Sequence, residues 1–126
     1  MAQSLSRIWT HLIFSTKHRF PFLSDKTLRT DMHAYLAKVL REQACETLIV
    51  NGVQDHIHAL FALSRTHSVA SVVKEIKRTS SGWAKEISPR LAKFRWQGGT
   101  VHSQLASLTW RKLFVISKPR KHITNE

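Results

Sequence analysis

The sequence predicts an α+β fold, a ferredoxin-like sandwich in which two helices cover one face of an antiparallel sheet. Apolar residues first alternate and then recur at helical spacing, and the order along the chain is strand, helix, strand, strand, helix. The segment Phe94-Arg95-Trp96 is expected to lead into a fourth strand. This order is that of a split βαβ unit, whose sheet keeps one face uncovered.

Length and composition favour one domain with a single core. The chain has 126 residues, of which 42% are apolar. No apolar run approaches the roughly 18 residues of a membrane span, and the N-terminus lacks the apolar region of a signal peptide. The single cysteine, Cys45, excludes an internal disulfide and a zinc site built from cysteines. We therefore expect a cytoplasmic protein that does not act at a membrane.

The first third of the chain is predicted to form a strand and then a helix. Residues 7–14 alternate between two faces, and a basic turn follows at 15–19. Ser24 or Asp25 can cap the helix, because each offers a side-chain oxygen to the free N–H groups of the first turn. The helix is expected to end near Gln43. Its apolar face consists of Leu28, Met32, Tyr35, Leu36, Val39 and Leu40.

The middle of the chain is predicted to form an antiparallel hairpin. Residues 47–50 are a β-branched run, and Asn51-Gly52 after them favours a tight turn, because both residues tolerate positive φ. In the next strand, His56 and His58 stand one residue apart. Since strand side chains alternate between faces, both imidazoles should project to the uncovered face. The opposite face of the same strand is apolar and consists of Ile57, Ala59, Phe61 and Leu63.

A second helix is predicted between Ser68, its N-cap, and Pro89, which stops it. One face is apolar, with Val69, Val72, Val73, Ile76, Trp83 and Ile87, and the other carries Lys74, Lys77, Arg78 and Lys85. In a neutral protein such a basic face is an ordinary solvated surface. Here 20 Lys and Arg against 8 Asp and Glu give a net charge of +12, so a phosphate-contacting face is equally favoured. The overall charge favours nucleic acid as the partner.

Two imidazoles on one face of a strand can share one metal ion. For an arbitrary His-x-His, two partly buried histidines with hydrogen-bond partners are the more frequent arrangement. The setting favours a metal site, because the domain is strongly basic and Asp55 could orient an imidazole from behind. A hydrolytic zinc site would need a third ligand close in sequence, and none is evident. A hard divalent ion that polarises a scissile phosphate fits better.

The chain resembles the single-tyrosine HUH transposases, the small insertion-sequence and REP-associated transposases that act on single-stranded DNA. The matching stretches are THLIFSTKHR at 10–19, DMHAYLAKVL at 31–40, VNGVQDHIHALFALSRT at 50–66, VVKEIKRTSSGWAKE at 72–86 and FRWQGG at 94–99. They cover residues 1–99 almost continuously and in the family order. We therefore assign residues 1–99 to the transposase domain.

The resemblance implies a homodimeric enzyme that cleaves and rejoins DNA in transposition. In the family, two histidines and a glutamine from a late helix hold Mg²⁺ or Mn²⁺, and a tyrosine one turn before that glutamine forms a covalent 5′-phosphotyrosine link with DNA. His56 and His58 match the metal positions. Single-stranded or hairpin DNA is the implied partner. The residues assigned to DNA binding are Lys17, Arg19, Arg65, Lys74, Lys77, Arg78 and Lys85.

The tail, residues 100–126, departs from the family pattern. It contains no tyrosine, and the single tyrosine of the chain, Tyr35, falls in the first helix. Gln97 and Gln104 have no tyrosine one turn away. On this sequence the chain lacks the nucleophile, so we expect a catalytically inactive remnant of a transposase.

A shifted reading frame explains the tail. If each codon takes the last base of one residue and the first two of the next, starting at Gly99-Thr100, the genetic code permits YGAFSVSQSHLEKVICYIKTQETHHKR. This reading contains the Tyr-x-x-x-Gln spacing, with its tyrosine across Val115 and Ile116, and a His-His pair. We therefore expect that a frameshifted tail at 100–126 replaces the last strand and the tyrosine helix. The sheet would then lack its fourth strand, and the tail would pack poorly.

A second hypothesis, from a different functional class, is a non-catalytic nucleic-acid-binding module that uses the open sheet face. Trp9 and His11 would be its stacking platforms, although Trp9 fits a core position better. The two hypotheses differ on metal, because only the transposase site requires ion binding at His56 and His58.

Overall fold

A computed structural model describes residues 8–98 and, for the backbone alone, residues 101–106. The elements are β1 (Ile8–Ser15), α1 (Lys26–Glu42), β2 (Glu46–Gly52), β3 (His56–Ala62), α2 (Val69–Ile87) and β4 (Val101–Ala106). The strands form one sheet in the order β2-β3-β1-β4, and every neighbouring pair is antiparallel. Both helices pack on one face of this sheet. The predicted α+β class, a ferredoxin-like sandwich, is confirmed.

The core lies between the sheet and the two helices. Leu12 and Phe14 of β1 and Ile57 and Phe61 of β3 are each at most 2% exposed. They pack against buried side chains of the helices, namely Met32, Leu36, Val39, Leu40, Val72, Ile76 and Ala84. The alternation in the sequence therefore identifies the covered face of each strand correctly.

Both helices begin at capping side chains that the sequence indicates. Asp25 Oδ1 accepts hydrogen bonds from the N–H groups of Thr27 and Leu28 at 2.8 and 3.2 Å. Ser68 Oγ accepts from the Ser71 N–H at 3.1 Å. The apolar face of α2 is shorter than predicted, since Ile87 is exposed. Neither helix in the described part of the chain is long and apolar enough to cross a membrane.

The β2–β3 hairpin closes later in the sequence than predicted. Asn51 and Gly52 lie within the ladder to β3, and residues 53–55 form the connection. A Cβ on Gly52 would lie 2.3 Å from the carbonyl oxygen of His56. Glycine is therefore required here for a close approach of two backbones and not for a tight turn, which the Asn-Gly pair alone does not reveal.

The expectation of a sheet without a fourth strand is wrong. Val101–Ala106 forms β4, which pairs with β1 from Ile8 opposite Ala106 to Ile13 opposite Val101. The ladder consists of backbone N–H and C=O groups, which almost any sequence supplies, and β1 would otherwise be an unpaired edge. The predicted poor packing of the tail, residues 100–126, concerns side chains that lie outside the described part of the chain.

Trp96 fixes the segment that returns from α2 to the end of β1. Its indole Nε1 donates to Ser80 Oγ at 2.9 Å in the buried interior. Its ring packs edge-on against Phe14 and Phe94, at centroid distances of 4.7 and 4.8 Å. Gln97, the next residue, donates its N–H to Ser15 O at 2.7 Å. The FRWQ segment is thus held beside the basic turn that follows β1.

Candidate functional site on the open sheet face

His56 and His58 lie on the sheet face that the helices leave uncovered. Their neighbours Ile57 and Ala59 are buried on the other face, whereas both histidines are partly exposed. The two imidazole centroids are 5.2 Å apart, with the rings inclined at 62°. The alternation of β3 therefore places the two rings side by side on one surface.

Asp55 holds the ring of His56 from behind. His56 Nδ1 lies 2.9 Å from Asp55 Oδ1, and Arg19 Nε lies 3.1 Å from Asp55 Oδ2. The hydrogen bond from His56, together with that of Arg19 and its charge, lowers the pKa of Asp55. Because an ionised carboxylate only accepts hydrogen bonds, His56 carries its proton on Nδ1, which places the lone pair of the neutral ring on Nε2.

A third imidazole, that of His11 in β1, contacts His58. His11 Nε2 and His58 Nδ1 are 3.3 Å apart, and the rings stack with centroids 5.5 Å apart at 26°. In the β1–β3 register Ile13 is opposite His58 and His11 is opposite Leu60, so the two histidines are diagonal neighbours. The sequence alone indicates His11 only as a stacking platform. The strand register is the signal that would reveal its contact with His58.

The residues present fit a divalent ion as two ligands of an incomplete set. His56 and His58 both engage a neighbour through Nδ1, and a histidine that ligates through Nε2 is usually held in this way. In residues 8–98, no group of three or more His, Cys, Asp or Glu side chains is arranged to hold a metal ion. Any ion at this pair would need its remaining ligands from elsewhere.

The basic turn after β1 has a strained backbone. His18 and Arg19 have φ values of 56° and 57°, in the left-handed region that favours glycine. Such a conformation costs about 1–3 kcal/mol per residue and persists only where the surroundings enforce it. Here the Lys17 N–H donates to Arg95 O at 2.9 Å and the His18 N–H donates to Gln97 Oε1 at 3.0 Å. These contacts place Arg19 beside Asp55.

Three of the seven predicted DNA-binding residues lie at this end of the sheet. Lys17 and Arg19 are on the basic turn, and Lys77 of α2 donates from Nζ to Gln97 O at 2.9 Å. Burial lowers the pKa of Lys77, whose ammonium group also lies 5.7 Å from the centroid of the Phe14 ring. Gln97 therefore links the basic turn to α2, a role that the sequence does not indicate.

The other four predicted DNA-binding residues lie outside the basic turn. Arg65 follows the end of β3 that is opposite to His56. Lys74, Arg78 and Lys85 are exposed on α2, in the helix layer, and Arg78 forms an ion pair with Glu75 at 2.8 Å. Arg65 therefore lies apart from the basic turn, whereas Lys74, Arg78 and Lys85 share α2 with Lys77.

The comparisons with known proteins decide the family. The family model described as "Transposase IS200 like" matches residues 4–109, which include all four strands and both helices. The chain belongs to the IS200-like transposase family. The resemblance on which the sequence interpretation rests is thereby confirmed. Comparison with curated protein sequences gives no significant match.

Two solved structures share the fold of this family member. One is a protein from Deinococcus radiodurans R1 assigned as a transposase, with a TM-score of 0.65 and 18% identity, covering 94% of this chain and 90% of that one. The other is a REP-associated tyrosine transposase bound to a REP hairpin, with a TM-score of 0.60 and 17% identity, covering 92% of this chain and 68% of that one. At these identities the likeness establishes the fold alone.

Two aromatic residues of this IS200-like transposase have structural roles. Tyr35 stacks on Trp83, with centroids 4.6 Å apart and rings inclined at 11°, in the helix layer and therefore across the sheet from the histidines. Trp9 is 4% exposed and packs against Leu60 and Ala62. The only tyrosine in the sequence is thus on the other side of the sheet from the histidine pair. Trp9 belongs to a small buried cluster on the open face, separate from the core under the helices, and is too buried to be a stacking platform.

Proposed function

We propose that this chain is a transposase domain of the single-tyrosine HUH type, which binds single-stranded DNA and keeps the metal-ligand pair of its family without the nucleophile. The observation that carries the proposal is the pair His56 and His58 on the open sheet face, each held through Nδ1. The relative bound to a REP hairpin supports hairpin DNA as the ligand.

In this proposal each residue of the site has one task. His56 and His58 would hold Mg²⁺ or Mn²⁺, an ion that supplies Lewis-acid polarisation of a phosphate. Asp55 fixes the tautomer and orientation of His56. His11 does the same for His58 by accepting a hydrogen bond from its Nδ1, because His58 can ligate through Nε2 only if Nδ1 carries the proton.

DNA would approach along the basic turn. Arg19 is connected to His56 through Asp55, and Lys17 lies on the same turn. Phosphate contacts by such side chains position a strand without reading its sequence. Arg19 uses its Nε–H to donate to Asp55, so in this proposal the terminal nitrogens of the guanidinium group bind the phosphate. The carboxylate therefore orients a metal ligand and a phosphate-binding cation together.

We further propose that the chain is catalytically inactive and that its tail, residues 100–126, arose by a frameshift. Tyr35 stacks in the helix layer, so it cannot replace a nucleophile at the histidines. The family match runs on to residue 109, so the frameshift rests on the shifted reading of residues 100–126 and on the absence of a tyrosine from them. Sequencing the gene tests this, because codons that cannot spell the shifted reading would exclude the frameshift.

Manganese binding tests the proposed site. We expect Mn²⁺ to bind the wild-type chain, and electron paramagnetic resonance measures this binding. The double variant His56→Ala, His58→Ala should no longer bind Mn²⁺. The matched control is His67→Ala, since His67 lies beyond the other end of β3. Single-stranded DNA binding without any Mn²⁺ binding would favour the second hypothesis, a non-catalytic nucleic-acid-binding module.

The family resemblance also leads us to propose a homodimer. Sedimentation equilibrium measures this directly, because a two-fold increase in the mass of the 126-residue chain is well resolved. A monomer at all accessible concentrations would contradict the dimer without affecting the metal site.

A further inference from the structure

Phe20 is the most exposed large apolar side chain among the described residues, at 58%. A single exposed apolar residue is common on protein surfaces and needs no explanation by itself. Val53 and Ile87 are also exposed. Phe20 differs from them because it directly follows the strained basic turn and because its ring packs against another aromatic ring.

The backbone of Phe20 is held by three hydrogen bonds. Thr16 Oγ1 donates to the Phe20 carbonyl oxygen at 2.7 Å, and the Phe22 N–H donates to the same oxygen at 2.7 Å. The Phe20 N–H donates to Lys17 O at 3.0 Å. Pro21 comes next and restricts the backbone further. The backbone of Phe20 is therefore fixed before any ligand arrives.

The ring of Phe20 is supported by aromatic contacts that reach the core. It packs against Phe22 with centroids 4.6 Å apart, and Phe22 packs against the fully buried Phe94 at 5.2 Å. The ring of Phe20 adds an apolar surface that faces solvent on the side away from Phe22.

Phe20 is connected to the proposed metal pair through its neighbour in the chain and two side-chain contacts. Its neighbour Arg19 bonds to Asp55, and Asp55 bonds to His56. Lys17 lies on the same turn. A cationic turn with an exposed aromatic ring matches the two needs of single-stranded DNA, since the phosphates require cations and the unpaired bases require flat apolar surfaces.

We propose that the Phe20 ring is a stacking platform for one unpaired base of single-stranded DNA, adjacent to the phosphate that Arg19 and Lys17 contact. This inference rests on the proposed function, because it requires a DNA strand at the histidine end of the open face. A base pair within a duplex stacks on its neighbours and does not offer its face to such a ring.

Fluorescence anisotropy with a labelled oligothymidylate tests the platform. Phe20→Leu keeps an apolar side chain but removes the aromatic face, and we expect it to weaken binding by roughly tenfold to a hundredfold. Phe20→Trp should bind at least as tightly as the wild type. The control Ile87→Ala removes another exposed apolar side chain, at the end of α2, and should leave the affinity unchanged.

An abasic scan of the same oligonucleotide makes the test independent of any folding defect. In the wild type, one abasic position should weaken binding by the same factor as Phe20→Leu, and in Phe20→Leu that position should have no further effect. Equal affinities of wild type and Phe20→Leu would overturn the platform alone. A wild type that does not bind the oligonucleotide would overturn the proposed function as well.

Discussion

Gly52→Ala should separate the two strands of the β2–β3 hairpin beside His56, the first residue of the proposed metal pair. A Cβ at position 52 would lie 2.3 Å from His56 O and 3.0 Å from Ile57 Cα. Cβ atoms essentially never lie within 3.0 Å of another heavy atom in this way. The two backbones must therefore move apart by roughly 0.7 Å, the difference between 3.0 and 2.3 Å. No flexible side chain can absorb this movement, because the nearest atoms are backbone atoms.

The cost of Gly52→Ala follows from the contact that it breaks. The Val53 N–H donates to His56 O at 3.0 Å, and the required separation stretches this bond beyond useful length. A lost backbone hydrogen bond costs about 0.5–1.5 kcal/mol, and forcing extra volume into a packed site costs about 1–3 kcal/mol. We expect the free energy of unfolding to fall by about 2–4 kcal/mol. Mn²⁺ affinity should fall too, because His56 is displaced.

Urea unfolding and a Mn²⁺ titration measure both effects. The control is Gly82→Ala, on the exposed side of α2, where a Cβ would have nothing within 4 Å. This change should stabilise the protein by about 0.5–1 kcal/mol, because alanine loses less backbone entropy in a helix than glycine. If Gly52→Ala were as stable as the wild type and bound Mn²⁺ equally well, the close approach of the two strands would be refuted.

Three further predictions concern the core, pH and salt. Ser80→Ala should lower the free energy of unfolding by about 1–3 kcal/mol in urea titrations, because it leaves the buried Trp96 N–H without an acceptor. The control is Ser71→Ala at an exposed position, and an equally small change in both variants would refute this prediction. Burial, with the charge of Arg29, lowers the pKa of His33 from 6.5, so the unfolded chain binds more protons than the folded one below that pH. Stability should therefore decline as pH falls below about 6.5, and a His33→Gln variant with the same decline would contradict this assignment. Lys17→Ala should reduce the salt dependence of single-stranded DNA binding, log K against log salt, by about 0.7, whereas Arg65→Ala, at the far end of the sheet, should leave it unchanged.

The elements of this fold are predictable where local patterns determine them. The alternation of Leu12 and Phe14 identifies the covered face of β1, and Asp25 and Ser68 cap the two helices as their side-chain chemistry indicates. Pairing between distant segments is not local. The contact of Gly52 with His56 and the pairing of β4 with β1 depend on strand register, which the residue pattern leaves open.

The same distinction applies to the candidate site. His56 and His58 share a face because a strand has a period of two, and Asp55 is adjacent in sequence to the ring that it holds. The contacts of Arg19 with Asp55 and of His11 with His58 each join residues far apart in the chain. The first also depends on two left-handed residues in the basic turn, a conformation for which non-glycine sequences give no clear signal.

Formation of a covalent protein–DNA adduct tests the central claim most directly, namely that the chain keeps the histidine pair of its family without a nucleophile. Purified protein is incubated with end-labelled single-stranded DNA and Mn²⁺ and then resolved on a denaturing gel, with a relative that has the family tyrosine as the positive control. We predict no adduct from this chain, because its only tyrosine, Tyr35, is stacked on Trp83 across the sheet from His56 and His58. An adduct that persists in Tyr35→Phe would contradict the claim, because another residue would then be the nucleophile.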